Sequence, residues 1–194
     1  MTRVKICGLT RMQDVEIINS LQIKPDYVGF VFAESRRKVT LKQAAELRDA
    51  ISHSVIVVGV FVNEPIINVH NLAKSGIIDM IQLHGNEDDE YIRTLTLQTD
   101  KKIIRAVKTD SPQGSADFLL FDSPSPGSGR TFDWGTLPSV TTPYFLAGGL
   151  NPDNVAEAIR RVSPYAVDVS SGVEVDGFKD RKLIERFISE VINK

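Results

Sequence analysis

The chain has 194 residues, of which 42% are hydrophobic and 25% charged, and its formal net charge is −2. This composition is ordinary for a folded globular protein and excludes an intrinsically disordered chain. The basic residues are scattered, and the longest apolar run, residues 55–62, is far shorter than the roughly 20 residues of a membrane helix, so we expect a cytoplasmic protein without a nucleic-acid or membrane partner.

Eight short segments rich in β-branched and aromatic residues alternate with stretches of helical periodicity. These strand candidates are residues 3–7, 27–32, 55–62, 79–84, 103–107, 118–122, 144–148 and 166–170. Several are continuous apolar runs, which parallel strands covered on both faces prefer. The alternation predicts an α/β fold, and eight units favour a (β/α)8 TIM barrel in a single domain of residues 1–194. An open doubly wound sheet is the alternative, but no GxGxxG motif follows the first strand.

The connections between the predicted strands carry helix start signals. Thr10 and Gln13 have the spacing of a capping box before the first helix, and Thr40 precedes the second. Seven of the eight connections have helical periodicity. The exception is residues 108–117, where Asp, Ser, Pro and Gly crowd together, so we expect the fifth helix to be reduced or absent.

Polar residues and glycines end several of the predicted strands or follow them directly. In a parallel barrel the functional side chains collect at these C-terminal strand ends. Taken alone, each residue has an ordinary structural explanation, and a lone cysteine is more often a small buried side chain than a reactive one. As a set they predict an active site at one edge of the barrel, formed by Cys7, Asn63, His84, Asp122, Gly148, Gly149, Ser170, Ser171 and Gly172.

The glycine and serine segments after strands seven and eight have a specific predicted use. Loops at these two positions of a barrel often bind a phosphate group through backbone N–H groups, and glycine lets the backbone approach the ligand closely. We also interpret the Ser-, Pro- and Gly-rich residues 123–129 as an active-site loop, because they follow strand six. That loop lacks the GxxxxGK[ST] spacing of a nucleotide-binding loop.

Seven blocks of the sequence resemble the phosphoribosylanthranilate isomerase family and run in the order of that family. They are residues 4–10 (VKICGLT), 29–32 (GFVF), 59–63 (GVFVN), 82–85 (QLHG), 131–134 (TFDW), 148–155 (GGLNPDNV) and 167–174 (VDVSSGVE). The resemblance implies a (β/α)8 barrel of tryptophan biosynthesis. The implied reaction is the Amadori rearrangement of N-(5-phosphoribosyl)anthranilate to 1-(2-carboxyphenylamino)-1-deoxyribulose 5-phosphate, with no cofactor and no metal.

The resemblance also implies roles for individual residues. In the family, the cysteine of the KICG block is the general base and the aspartate ending strand six is the general acid, which are Cys7 and Asp122 here. The arginine that contacts the anthranilate carboxylate falls on Arg37 by the pattern S-x-R, and its neighbour Arg36 is the alternative. The implied partner is a small phosphosugar bound by Asn63, His84, Gly148, Gly149, Ser170, Ser171 and Gly172, and we expect a monomer or homodimer.

Some alternatives stay open at the level of sequence. Lys5 shares the inward strand face of Cys7, where it either assists the thiol or packs the barrel floor, and we leave it outside the predicted site. Another sugar-phosphate barrel, such as an indole-glycerol-phosphate synthase or a ribulose-phosphate epimerase, would share the phosphate loops but not the KICG cysteine. A non-catalytic phosphosugar sensor would keep the loops and have no need of Cys7 together with Asp122.

Overall fold

The computed structural model describes residues 1–107, 115–123 and 133–194. Eight parallel strands follow one another around a closed barrel, and the first strand pairs with both the second and the eighth. The prediction of a TIM barrel is therefore confirmed. The strands are β1 (Arg3–Cys7), β2 (Tyr27–Val31), β3 (Ile56–Phe61), β4 (Met80–Leu83), β5 (Lys102–Val107), β6 (Phe118–Phe121), β7 (Tyr144–Leu146) and β8 (Ala166–Val169).

Six α-helices cover the outside of the barrel in the described residues. They are α1 (Met12–Ser20), α2 (Leu41–Ala50), α3 (Ile66–Lys74), α4 (Asp89–Thr96), α5 (Val155–Val162) and α6 (Arg181–Ile192). Between β6 and β7, the described residues contain only a 3-10 turn at Trp134–Thr136 where an α-helix was expected. After β8, a second 3-10 turn at Ser171–Val173 leads into a small hairpin of β9 (Glu174–Val175) and β10 (Phe178–Lys179).

Two sequence predictions fall largely outside the described residues. In the connection from β5 to β6, residues 115–117 are not helical, and residues 108–114, where the fifth helix was expected to be lost, are not described. The predicted active-site loop at residues 123–129 is described only at Ser123, and the TFDW block only at its last two residues.

The starts of the first two helices show which capping predictions were correct. At α2, the Thr40 hydroxyl accepts a hydrogen bond from the backbone N–H of Gln43, as expected. At α1, the helix begins one residue later than predicted, and Asp14 replaces Thr10 as the capping group. Its carboxylate accepts hydrogen bonds from the backbone N–H groups of Thr10 and Arg11, at 2.9 and 3.0 Å. A charged acceptor forms stronger hydrogen bonds than a hydroxyl, which explains the shift.

The hydrophobic core has two parts. The larger part lies between the strands and the surrounding helices, and the smaller part fills the inside of the barrel with Tyr27, Val58, Met80, Ile104, Leu120, Phe145, Ala147 and Ala166. Aromatic rings pack edge to face within this interior, as between Tyr27 and Phe145. Because apolar side chains fill this part of the barrel, it forms a solid floor beneath the strand ends that carry the polar residues.

None of the helices formed by the described residues has the length and apolar character needed to cross a membrane.

Candidate active site

A cavity of about 290 Å³ opens at the C-terminal ends of the barrel strands. Its walls come from the ends of β1, β4, β6 and β8 and from the loops after β2 and β7. It brings together most of the residues predicted from the sequence, namely Cys7, Arg37, His84, Asp122, Gly148, Gly149, Ser170 and Ser171.

Asn63 lies outside this cavity. Its backbone has a φ of 52°, in the left-handed region. The Asn63 side-chain oxygen accepts a hydrogen bond from the backbone N–H of Asn86 at 2.7 Å, and the backbone N–H of Asn63 donates to the Glu87 carboxylate at 2.6 Å. In the structure Asn63 therefore joins the loops after β3 and β4.

Gly172 also lies outside the cavity, directly behind its wall. A side-chain Cβ at this position would stand 1.9 Å from the backbone oxygen of Leu150, so the loops after β7 and β8 approach more closely than any other residue would allow. Gly172 therefore sets the spacing of the two loops that were predicted to bind phosphate.

The two loops themselves are held by hydrogen bonds. Gly148 and Gly149 have φ values of 85° and 66°, a backbone conformation that glycine adopts without strain. The Asn154 side chain donates to the Gly149 oxygen at 3.0 Å. On the other side, the Ser170 hydroxyl donates to the backbone oxygen of Cys7 at 3.0 Å, which ties the end of β8 to the end of β1.

Asp122 follows β6 and has two polar contacts. The backbone N–H of Ser123 donates to its Oδ1 at 2.7 Å, and His84 Nε2 lies 3.2 Å from its Oδ2. His84 follows β4, and its other ring nitrogen lies 2.9 Å from the amide nitrogen of Gln82. Both side chains are less than one-fifth exposed, and both line the cavity.

Cys7 ends β1 on the other side of the cavity, two residues after a buried ion pair. Lys5 Nζ lies 2.7 Å from Asp168 Oδ2, with the Lys5 side chain fully buried. Burial lowers the pKa of Lys5, but the negative charges of Asp168 and Cys7 outweigh this effect and hold its pKa above the ordinary value. Burial raises the pKa of the Cys7 thiol, and the Lys5 ammonium offsets only part of that rise.

The structure distinguishes the two candidate arginines. Arg37 lines the cavity and its side chain is 11% exposed, whereas Arg36 does not line it and is 55% exposed. Both donate to the buried carboxylate of Glu174, and Arg37 does so through two parallel hydrogen bonds of 2.8 and 2.9 Å. The close approach of Arg37 to the backbone after β1 is possible because residue 8 is a glycine.

Glu174 lies between several cations. Lys179 donates to it at 2.6 Å and also to the backbone oxygen of Ser170 at 3.1 Å. Burial acts to raise the pKa of Glu174, but the hydrogen bonds and charges of Arg37 and Lys179 together hold its pKa below the ordinary value. Burial lowers the pKa of Lys179, which the attraction of Glu174 only partly offsets.

Five polar residues that support the site were not predicted as part of it: Lys5, which was considered and left outside it, and Gln82, Asp168, Glu174 and Lys179. Lys5, Gln82 and Asp168 interrupt apolar strands at inward positions, and that irregularity was a signal available in the sequence. Glu174 and Lys179 belong to the hairpin after β8, which no sequence signal indicated. Within the described parts of the chain, no three His, Cys, Asp or Glu side chains form a group that could hold a metal ion.

Residues 4–190 of the chain match the family model described as N-(5'phosphoribosyl)anthranilate (PRA) isomerase. The chain belongs to the phosphoribosylanthranilate isomerase family. A protein of Endomicrobium trichonymphae named N-(5'-phosphoribosyl)anthranilate isomerase is 46% identical, over 95% of this chain and 96% of its own length. A protein of the same name from Streptococcus pneumoniae strain R6 is also 46% identical, over 100% of this chain and 97% of its own length.

Solved structures of phosphoribosylanthranilate isomerases have the same fold. The enzyme from Thermus thermophilus superposes with a TM-score of 0.87 at 30% identity, with 99% of each chain covered. The enzyme from Thermotoga maritima superposes with a TM-score of 0.84 at 33% identity, with 100% of each chain covered. The predicted family and the predicted isomerase class, that of enzymes in tryptophan biosynthesis, are thus confirmed.

Proposed function

We propose that this protein converts N-(5-phosphoribosyl)anthranilate to 1-(2-carboxyphenylamino)-1-deoxyribulose 5-phosphate, with Cys7 as general base and Asp122 as general acid. The observation that carries the proposal is that both side chains line one cavity, from β1 and β6. A related phosphoribosyl anthranilate isomerase, 33% identical to this chain over its full length, was crystallised with the reduced form of that product.

The cavity has a suitable group for each end of this substrate. The glycine and serine loops after β7 and β8 offer backbone N–H groups to the phosphate, with Gly148, Gly149, Ser170 and Ser171 at the cavity wall. Arg37, in the loop after β2, offers a guanidinium to the anthranilate carboxylate. The planar guanidinium can form two parallel hydrogen bonds with a carboxylate. The ribose then lies between Cys7 and Asp122.

The first chemical step opens the ribose ring. Asp122 gives its proton to the ring oxygen while the bond from that oxygen to C1′ breaks, and the lone pair of the anthranilate nitrogen forms the C=N bond. The product is a protonated Schiff base and an Asp122 carboxylate. That carboxylate can accept hydrogen bonds from the Ser123 N–H and from His84, the groups that contact Asp122 in the structure.

The second step removes the proton from C2′. Cys7 must act as a thiolate, and the positive charge of the Schiff base draws the C–H electrons toward nitrogen, which gives an enolamine. Water then gives a proton to C1′ and accepts the proton of the C2′ hydroxyl, which forms the ketone. Proton exchange with water returns Cys7 and Asp122 to their starting states. Because burial raises the pKa of Cys7, the thiolate is a minor species near neutral pH, and the adjacent Lys5 ammonium stabilises it.

Substrate and product are isomers, so the reaction consumes no co-substrate and requires no redox cofactor.

We further propose that residues 1–194 form one domain, since β1 and β8 close the barrel on each other and α6 covers that seam. The proposed state of assembly is a monomer or a homodimer, and one related structure shows monomers generated from the dimeric enzyme of Thermotoga maritima.

The test is to mix the purified protein with freshly made phosphoribosylanthranilate and to follow the loss of its fluorescence. Cys7→Ala and Asp122→Asn should each lower kcat at least about a hundredfold with little change in KM, because each removes one proton-transfer group. Asp153→Asn, which changes an exposed aspartate paired with Arg186, is the matched control. Asp153→Asn should keep the wild-type kcat. An inactive wild-type protein, or a Cys7→Ala or Asp122→Asn protein keeping more than about a tenth of the wild-type kcat, would overturn the proposal.

A further inference from the structure

A chain of hydrogen-bonded side chains runs from the inside of the barrel to Asp122. Lys5 Nζ lies 2.7 Å from Asp168 Oδ2 and 2.7 Å from Gln82 Oε1. Gln82 Nε2 lies 2.9 Å from His84 Nδ1, and His84 Nε2 lies 3.2 Å from Asp122 Oδ2. Lys5, Gln82 and Asp168 are all buried, and Gln82 and Asp168 also line the cavity.

The chemistry of the donors fixes the direction of every hydrogen bond in this chain. A lysine ammonium donates and cannot accept, so the atom of Gln82 that faces Lys5 must be its amide oxygen. The amide NH2 of Gln82 then faces His84 and donates to Nδ1, which must carry a lone pair. A neutral imidazole has one N–H, so the proton of His84 is on Nε2 and is directed at Asp122.

Other protonation states of His84 would break buried hydrogen bonds. A proton on Nδ1 would oppose the amide NH2 of Gln82, donor against donor. Rotating the Gln82 amide would relieve that conflict only by turning its NH2 toward the Lys5 ammonium. Lys5 is fully buried and donates to Asp168, so the rotated amide NH2 would face a buried cation. A buried donor left without an acceptor is costly, and this disfavours both alternatives.

The position of the His84 proton matters for the acid. If Nε2 carried a lone pair, it would accept the proton of Asp122 in competition with the ribose ring oxygen. With its proton on Nε2, His84 can only donate to Asp122, so the acidic proton is left for the ligand. After proton transfer, the same N–H stabilises the new carboxylate.

We propose that Gln82 is a positioning residue, oriented by Lys5 and Asp168, that holds His84 in the neutral Nε2–H form and thereby keeps the proton of Asp122 available to the substrate. The inference rests on the acid role of Asp122 proposed above. His84 and Gln82 act through Asp122, so substitutions at these positions should lower turnover more than substrate binding.

The direct test is nitrogen-15 NMR of the wild-type protein with labelled histidine. The chain has three histidines, and His53→Gln and His70→Gln identify the resonances of the other two. For His84 we expect a protonated Nε2 and an unprotonated Nδ1, which correlations to the ring protons distinguish. A proton on Nδ1, alone or together with one on Nε2, would overturn the inference. This measurement needs no substitution in the site itself.

Variants at Gln82 test the functional consequence. Gln82→Glu places an obligate acceptor against Nδ1, so His84 should gain a proton there and kcat should fall at least about tenfold, while KM changes less than about threefold. Gln82→Met removes the directing group and should also lower kcat, with mixed His84 tautomers in the spectrum. An unchanged kcat in a Gln82→Glu protein whose His84 is protonated on Nδ1 would refute the proposed role.

The failure of this inference is distinguishable from failure of the proposed function. If Asp122→Asn keeps its activity, the acid assignment is wrong whatever the state of His84. If Asp122→Asn is inactive but wild-type His84 carries its proton on Nδ1, the acid assignment stands and only the role of Gln82 is rejected. Thermal melting of each variant separates a loss of turnover from a loss of fold.

Discussion

Arg37 and Glu174 meet edge to edge at the rim of the cavity. Arg37 Nε lies 2.8 Å from Glu174 Oε1, and Arg37 Nη2 lies 2.9 Å from Oε2. The two residues are 137 positions apart in the chain, one in the loop after β2 and the other in the hairpin after β8. Because Glu174 occupies one edge of the guanidinium, it fixes the orientation of the opposite edge, which we propose to bind the anthranilate carboxylate.

Removing this guanidinium should weaken substrate binding more than turnover. We expect Arg37→Ala to raise KM at least about tenfold with a smaller change in kcat, because a bidentate hydrogen bond to a carboxylate is worth more than about 1.4 kcal/mol. Arg37→Lys should rescue little, since an ammonium lacks the planar fork. Steady-state kinetics measure both effects.

Arg36→Ala is the matched control for Arg37, because Arg36 contacts the same Glu174 carboxylate from a position outside the cavity. Its KM should stay near that of the wild type. A larger KM effect for Arg36→Ala than for Arg37→Ala would move the carboxylate contact to Arg36, the alternative that the S-x-R pattern left open.

Glu174 should make folding stability depend on acid pH. Its pKa is lower in the folded protein than the ordinary value of 4.5, so its stabilising contribution is complete above that value and is lost as the pH falls through the folded-state pKa. We expect the free energy of unfolding of Glu174→Gln to fall less steeply below pH 4.5 than that of the wild type. Urea unfolding over a pH series measures the difference.

Glu174→Gln should also be less stable near neutral pH, by about 3–5 kcal/mol, since it leaves Lys179 buried without its charge partner. Glu34→Gln is the control, because Glu34 pairs with Lys38 but is 90% exposed. An acid dependence of Glu174→Gln equal to that of the wild type would show that Glu174 does not titrate in this range.

The barrel could be predicted from the sequence because each strand is a short apolar run with a turn signal on either side. Cys7 and Asp122 could be placed at one edge because parallel strands align their C-terminal ends. Asn63 also follows a strand, yet its positive φ turns it into the neighbouring loop. Local backbone conformation after a strand end has no counterpart in the apolar pattern, so the two cases look alike in the sequence.

The supporting network was harder to predict for a different reason. Lys5, Gln82 and Asp168 come from three strands, and their mutual hydrogen bonds depend on the stagger of the strands around the closed barrel. The alternation of side chains shows that Lys5 points inward but not which residue it meets. Glu174 reaches Arg37 only because the chain forms a hairpin after β8.

The single cysteine allows the pKa of the proposed base to be measured directly. Burial raises the pKa of Cys7 above its ordinary value of 9.0, so the rate of alkylation by iodoacetamide should increase with pH and reach its midpoint above that value. Lys5→Met should move the midpoint further upward, because it removes the cation that stabilises the thiolate. A wild-type midpoint below 9.0 would contradict this expectation.

Lys5→Met leaves Asp168 buried without its partner, so the double variant Lys5→Met/Asp168→Asn provides a version without an unpaired buried charge. Its midpoint should also rise, but less, because Asp168 itself acts to raise the pKa of Cys7. Lys102→Met removes an exposed lysine paired with Asp117 at the start of β5 and should leave the midpoint unchanged.

The spacing of the two loops that we propose to bind phosphate should depend on Gly172. In Gly172→Ala, the new methyl group would overlap the Leu150 oxygen, so the loops after β7 and β8 must separate. If these loops bind the phosphate as proposed, their N–H groups then no longer converge on it. We expect KM for the substrate and the inhibition constant of inorganic phosphate to rise together, each at least about tenfold, which corresponds to 1.4 kcal/mol.

Gly76→Ala is the control, because its φ of 79° makes alanine strained there as well, but it lies after α3, away from the cavity. That variant should melt at a lower temperature and bind phosphate normally, and a Gly172→Ala protein that does the same would show that the loop spacing serves stability alone.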